Sequence, residues 1–221
     1  MELFTTEPGL LYLAKWLHFV FGITWIGLLY YFNLVQGEYF KEADAGARVD
    51  AFTKLVPLAL WYFRWGAMFT FLTGVIMLYI LGATASYDVV IGATMGTLMF
   101  LNVWLIIWPN QKIVIASNQQ VAGGGEALPG AAGAAPKAGL ASRTNTLFSV
   151  PMLFFMGSGV HLGGVVIGAA EMTSLVIALV IIAAIEVNAI VGRQGPMTSV
   201  RGLVTSAFVL TAILWGVVRL L

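Results

Sequence analysis

The chain has 221 residues, of which 60% are hydrophobic and 10% charged, with no cysteine and a formal net charge of +1. That balance excludes an ordinary soluble domain and describes a polytopic, all-α membrane protein. The near-neutral charge offers no basic surface for nucleic acid, and a chain without cysteine holds no disulfide, iron–sulfur cluster or covalently attached c-type haem.

Taken in order, the chain opens on an acidic stretch, Met1 to Gly9, followed by a long apolar run. This reads as a retained helix rather than a cleaved signal peptide. A spanning helix needs about 20 mainly apolar residues. Six segments qualify: 10–36, 56–81, 89–115, 147–168, 172–192 and 200–220. Pro57, Pro151 and Pro196 are expected at or just before helix starts, where proline is tolerated, whereas Pro109 is expected to kink or end the third helix near Trp108. The stretch from Ala122 to Pro136 is rich in Gly, Ala and Pro. It divides the chain into a three-helix half (1–116), a cytoplasmic linker (117–143) with no packed core, and a second three-helix half (144–221).

Basic residues set the orientation. Lys41, Arg48 and Lys54 lie in the first connection, Lys112, Lys137 and Arg143 in the third, and Arg193 and Arg201 in the fifth. The positive-inside rule therefore predicts a bacterial inner-membrane protein with odd-numbered connections in the cytoplasm and both termini outside. Lys15 and Arg219, near the outer ends, run against the rule.

The only two histidines fall inside the apolar segments. His18 has Lys15 one turn back and Gly22 one turn ahead; His161 has Gly157 and Gly164 at minus four and plus three. Glycine one turn from an imidazole leaves a slot for a flat ligand. With odd connections inside, His18 lies about 12 Å and His161 about 10 Å below the outer helix ends, at 1.5 Å per residue. The pair is thus predicted to clamp one haem b through its iron, with Lys15 meeting a propionate. The plainer reading has each histidine hydrogen-bonding a backbone carbonyl or a serine in the bundle.

Arg64 and Glu186 are opposite charges about 12 Å and 9 Å from the cytoplasmic helix ends by the same counting. Either alone in hydrocarbon costs several kcal/mol, so an ion pair between the second and fifth helices is predicted; the alternative is a snorkelling arginine and a protonated glutamate. Trp61, Trp65, Trp104 and Trp108 collect toward the same end, as interfacial tryptophans do. Asn33, Asn102 and Asn188 read as interhelical bridges, and Gly92-x-x-x-Gly96 and Gly164-x-x-x-Gly168 as packing motifs.

Several of these stretches resemble a known family. Trp16-Leu-His18, Gly22-Ile-Thr-Trp25-Ile-Gly27, Trp61-Tyr-Phe-Arg-Trp65 with Thr70 to Gly74, Asn102, Trp108-Pro-Asn-Gln-Lys112, and Asn145-Thr-x-x-Ser149-Val-Pro with His161 downstream are similar to the membrane domain of cytochrome-c-coupled urate oxidases. The resemblance implies an integral-membrane domain that works with a cytochrome c domain in urate oxidation. Here no C-x-x-C-H follows, so the expectation is a stand-alone membrane part with its cytochrome c on another polypeptide. Arg143 is followed by Thr144 where the family often has histidine, and Gly66 stands where an acidic residue is usual.

The leading functional expectation is a haem-b-binding redox or electron-transfer subunit, embedded among membrane lipids beside a separate cytochrome c or a larger respiratory or photosynthetic complex. Two alternatives stay open: a urate-type oxidase with its cytochrome supplied in trans, and a haem-free accessory subunit of a larger complex.

Overall fold

A computed structural model describes residues 2–163 and 172–220. Among these residues there are helices and no strands: α1 (Glu2–Thr5), α2 (Glu7–Tyr30), α3 (Gly37–Glu42), α4 (Ala45–Leu81), α5 (Tyr87–Leu101), α6 (Trp108–Ala122), α7 (Ala131–His161), α8 (Met172–Val191) and α9 (Val200–Leu220). Two π-helical turns, Tyr31–Gln36 and Asn102–Ile107, join α2 to α3 and α5 to α6 without a break. The described residues hold five helical runs long and apolar enough to cross a membrane: Glu7–Glu42, Ala45–Leu81, Tyr87–Ala122, Met172–Val191 and Val200–Leu220.

The fourth predicted span, 147–168, falls on α7, which is long enough but less apolar. It packs against α2, α5, α6, α8 and α9. An inner helix meets protein rather than lipid, so it tolerates buried Thr144, Asn145, Thr146, Ser149 and Ser158.

Local chemistry sets the helix ends. Thr6 caps α2 by accepting from the Gly9 amide at 3.2 Å, with Pro8 in the first turn. Asp44 caps α4 through the Ala47 amide at 2.7 Å. The first connection is therefore two helix extensions meeting at a short break. Pro196 lies just before α9 as expected, whereas the other three prolines depart from expectation. Pro57 lies inside α4 and Pro151 inside α7, both helices having started a turn or more earlier. Pro109 does not end its helix: the π-helical turn immediately before it widens the spiral, and the chain continues to Ala122. Insertion of a π turn relieves the clash of a proline ring with the carbonyl one turn back.

The linker predicted over 117–143 is also much shorter. Helix occupies both flanks, and only residues 123–130 connect α6 to α7. Alanine is the best helix former, and its small side chain lets helices approach closely. Ala134, Ala138 and Ala141 are buried, so composition that resembled a flexible tether is a packing face. The Leu128 amide donates to the Ser117 hydroxyl at 3.0 Å and ties the turn down.

Helix pairs close at glycines. A Cβ added at Gly66 would lie 3.1 Å from the Trp25 amide nitrogen and 3.4 Å from the Phe21 carbonyl, which marks the closest approach of α2 and α4. At Gly92 it would lie 3.2 Å from Met156 Cγ and 3.3 Å from the Met156 nitrogen, and the α5–α7 pair closes there. Gly96 faces open space, and Gly164 and Gly168 lie outside the described residues. Trp25, Phe63, Tyr87, Phe148 and Phe155 fill the core between these pairs.

Candidate functional site

His18 sits against α4. Its Nδ1 lies 3.1 Å from Thr73 Oγ1, and a Cβ at Gly74 would stand 3.3 Å from its Cε1. Gly74 is thus the cradle in which the ring rests. The Thr73 hydroxyl hydrogen is already directed at backbone, with Phe69 O at 2.7 Å and Thr70 O at 2.9 Å. Thr73 Oγ1 therefore accepts from the histidine, which makes Nδ1 the protonated nitrogen and leaves the lone pair on Nε2. Gly22, one turn inward, meets only the Thr70 methyl at 3.9 Å where its Cβ would be. Lys15 is exposed one turn outward.

His161 is the last residue of α7 and is exposed. Its level is given by a hydrogen bond deeper in the bundle, where the Tyr30 and Ser149 hydroxyls lie 2.9 Å apart. Asn33 Nδ2 bonds Ser142 Oγ at 2.8 Å, so α2 and α7 run antiparallel. His18 precedes Tyr30 by twelve residues and His161 follows Ser149 by twelve, so each lies about 18 Å toward the same end at 1.5 Å per residue. The two histidines share a level, and no hydrogen bond joins them among the described residues. Open space surrounds the Cβ position of Gly157, while Gly164 lies outside the described residues.

The structure does not bring Arg64 and Glu186 together. Arg64 lies over the ring of Trp108, its Cζ 3.8 Å from the centroid. Glu186 Oε2 instead accepts from Asn102 Nδ2 at 3.1 Å. The same Asn102 nitrogen donates to Asn145 Oδ1 at 2.9 Å, and Asn145 Nδ2 donates to Met99 O at 2.9 Å. Equal depth predicted from helix counting says nothing of azimuth, and each charge has met a different neighbour. The guanidinium is stabilised by an aromatic face and the carboxylate by an amide.

The chain Met99–Asn145–Asn102–Glu186, buried up to a half-buried Glu186, is a polar layer that links α5, α7 and α8. Sequence reading had Asn102 as a helix bridge, which it is, but had not joined it to Asn145 or Glu186. The available signal was Asn102 inside an apolar segment, where it is expensive unless satisfied, and Asn145 at the edge of the next one. Asn33 and Asn102 both sit in the π-helical turns. The Asn33 amide reaches Leu29 O at 2.9 Å and Ser142 Oγ, and Asn102 reaches Asn145 and Glu186, so both turns are stitched to partners by side-chain amides. Asn188 is a local cap, bonding the Arg193 amide and carbonyl.

Two further features escaped sequence reading. Asp88, fully buried at the start of α5, pairs with Arg219 of α9 at 3.1 Å. Arg143 donates to Met197 O and holds α7 to the turn before α9. An open groove of about 360 Å³ beside that turn is lined by Leu147, Ile185, Asn188, Arg193, Met197 and Ser206, and neither histidine borders it.

Comparison with known proteins gives one result. The family described as urate oxidase N-terminal matches residues 80–218. No curated protein and no solved structure matches. Matched residues include Asp88, Asn102, Trp108, Asn145, His161 and Glu186, while His18 and Arg64 precede them. The match covers more than half of the chain and includes the whole polar layer, and on it this protein belongs to the urate oxidase N-terminal family.

Proposed function

We propose that the protein is a membrane-embedded redox subunit with a urate-oxidase-related role, holding haem b between His18 and His161. One observation carries the haem: hydrogen bonding to Thr73 leaves Nε2 of His18 as the lone-pair nitrogen, with the ring orientation held from behind. Ligating histidines are oriented in this way, by donation from the other ring nitrogen. His161 supports the reading as an exposed imidazole at the same level, and Gly22 and Gly157 as positions without side-chain bulk. Bound haem would supply reversible one-electron transfer. The chain's own part would be to orient His18 through Thr73 and Gly74, to offer His161 as a second ligand, and to present Lys15 to a propionate. Six membrane crossings, with α7 as the inner one, and both termini outside complete the proposal. A separate cytochrome c or a larger membrane complex is the electron partner.

The test is a reduced-minus-oxidised visible spectrum of the purified protein, with a low-spin b-type signal and about one haem per chain expected, the count that two axial ligands imply. Folded protein free of haem overturns the proposal in favour of an accessory subunit.

A further inference from the structure

We infer that Arg64, Lys112 and the tryptophans around them form a binding site for the phosphate headgroup of an anionic phospholipid. Arg64 Cζ lies 3.8 Å and Lys112 Nζ 5.6 Å from the centroid of the Trp108 ring. Both cations thus share one indole. The ion pairs of the described residues, Lys41–Glu38, Lys54–Asp50 and Arg219–Asp88, include neither of them. Two positive charges held within reach of each other repel, and a ring quadrupole offsets only part of that cost. An anion between them removes it.

The surroundings select a lipid. Four of the seven tryptophans lie here: Trp61 and Trp65 are 6.5 Å apart, Trp65 meets Trp104 edge-on at 5.7 Å, and Trp108 carries the cations. Tryptophan is enriched at the headgroup level of a bilayer. Tyr87 to Trp108 measures about 31 Å at 1.5 Å per residue, the thickness of a hydrocarbon core. Beyond Trp108 the sequence turns polar, with Asn110, Gln111 and Lys112. Leu101 and Leu105, both exposed, precede Lys112 on one helical run, and Phe69 and Leu72, both exposed, follow Arg64 on the antiparallel α4, so all four lie on the same side of the cations. Acyl chains would lie along these residues, and the phosphate would meet the guanidinium and ammonium. Trp104 Nε1, a donor with no protein acceptor, stands in the same cluster. Bidentate guanidinium–phosphate bonding with an added lysine charge is the chemistry by which proteins hold such headgroups.

Native mass spectrometry of the full chain in detergent, titrated with phosphatidylglycerol and with phosphatidylcholine, tests this. The protein should prefer phosphatidylglycerol. Each cation near an anionic headgroup contributes about fivefold in affinity, so Arg64→Gln with Lys112→Gln should lose about twenty-five-fold for phosphatidylglycerol and little for phosphatidylcholine. Lys112→Gln alone changes an exposed side chain, keeps the fold, and should lose about fivefold. Equal affinity for the two lipids, or an unchanged preference in both variants, overturns the inference. So does displacement of phosphatidylglycerol by inorganic phosphate or urate at matching concentration, which would make this a site for a soluble anion.

Discussion

Asn102 spends its amide group on two helices at once, donating to Asn145 on α7 at 2.9 Å and to Glu186 on α8 at 3.1 Å. Asn145 is fully buried and returns its own amide to the Met99 carbonyl. Three helices are therefore held in register by one pair of asparagines. Asn145→Ala removes the side-chain donor to the Met99 carbonyl and leaves one Asn102 hydrogen without a partner. Interhelical hydrogen bonds in membrane proteins contribute about 1 kcal/mol each, so a loss of about 2 kcal/mol is expected. Thermal unfolding in detergent measures it, and a midpoint equal to that of the unsubstituted protein would remove the layer's structural role.

Arg64 and Glu186 share no partner, so their substitutions should add. Arg64→Met loses the stacking on Trp108, and Glu186→Gln keeps an oxygen for Asn102 to bond. The double variant should differ from the sum of the single effects by no more than about 0.5 kcal/mol. A compensating double mutant would mean that the two charges meet in the membrane.

How far the sequence was legible depends on which dimension is asked. Positions along a helix axis follow from counting residues, and His18 and His161 each stand twelve residues from the Tyr30–Ser149 contact. Azimuth does not follow from counting. It decides that Arg64 meets Trp108 and Glu186 meets Asn102, and it depends on which glycines let helices close. Gly66 and Gly92 do so and Gly96 does not, although all three look alike in sequence. The Ala-rich approach to α7 was misleading for a related reason. Small residues serve both tethers and tight helix contacts, and only burial of Ala138 and Ala141 separates the two.

The α2–α4 seam gives a sharp contrast. Gly66→Leu places side-chain atoms against the Trp25 backbone, where even a Cβ is tight, and overpacking of this kind costs about 1–3 kcal/mol. Gly27→Ala adds a methyl where nothing lies within 4 Å and should be neutral or stabilising. Paired melting curves check both. Equal effects would mean that the two helices do not close at Gly66.

Thr73 tests the tautomer on which the proposed haem site rests. Thr73→Val removes the acceptor for Nδ1 and should weaken haem retention roughly tenfold or more, as loss of an orienting partner does. Thr73→Ser restores the oxygen and should retain the wild-type spectrum. His18→Ala or His161→Ala should abolish the low-spin signal or convert it to high spin. Gly157→Leu should reduce haem content without removing a ligand. If Thr73→Val and Thr73→Ser behave alike, the hydroxyl does not orient the ring.

Orientation in the membrane is tested by cysteine labelling, which this cysteine-free chain permits. Lys112→Cys and Arg193→Cys are exposed positions and should react with an impermeant maleimide only after the cytoplasmic face is opened. Thr84→Cys, exposed between α4 and α5, should react from outside. Asp88 is unsuited to this use because it is fully buried. Labelling at 112 from outside would invert the bundle.

Arg219 runs against the positive-inside reading, and its ion pair with Asp88 gives the charge a partner inside the protein. Asp88 is fully buried, one of its oxygens meets Arg219 Nη2 at 3.1 Å, and Arg219 Nη1 also reaches Gly163 O at 3.4 Å. The pair joins the start of α5 to the end of α9, beside the end of α7. Arg219→Met strands a carboxylate in the bundle, and breaking a buried pair from one side costs about 3–5 kcal/mol. Asp88→Asn with Arg219→Met removes both charges and should recover much of that loss. The arginine side chain is 21% exposed where the carboxylate is fully buried, so Asp88→Asn alone frees a cation that water can reach and should cost less than Arg219→Met. This order, with Arg219→Met the worst of the three, is the expected result in a thermal melt. If Asp88→Asn is the most damaging instead, the carboxylate has a role beyond neutralising Arg219.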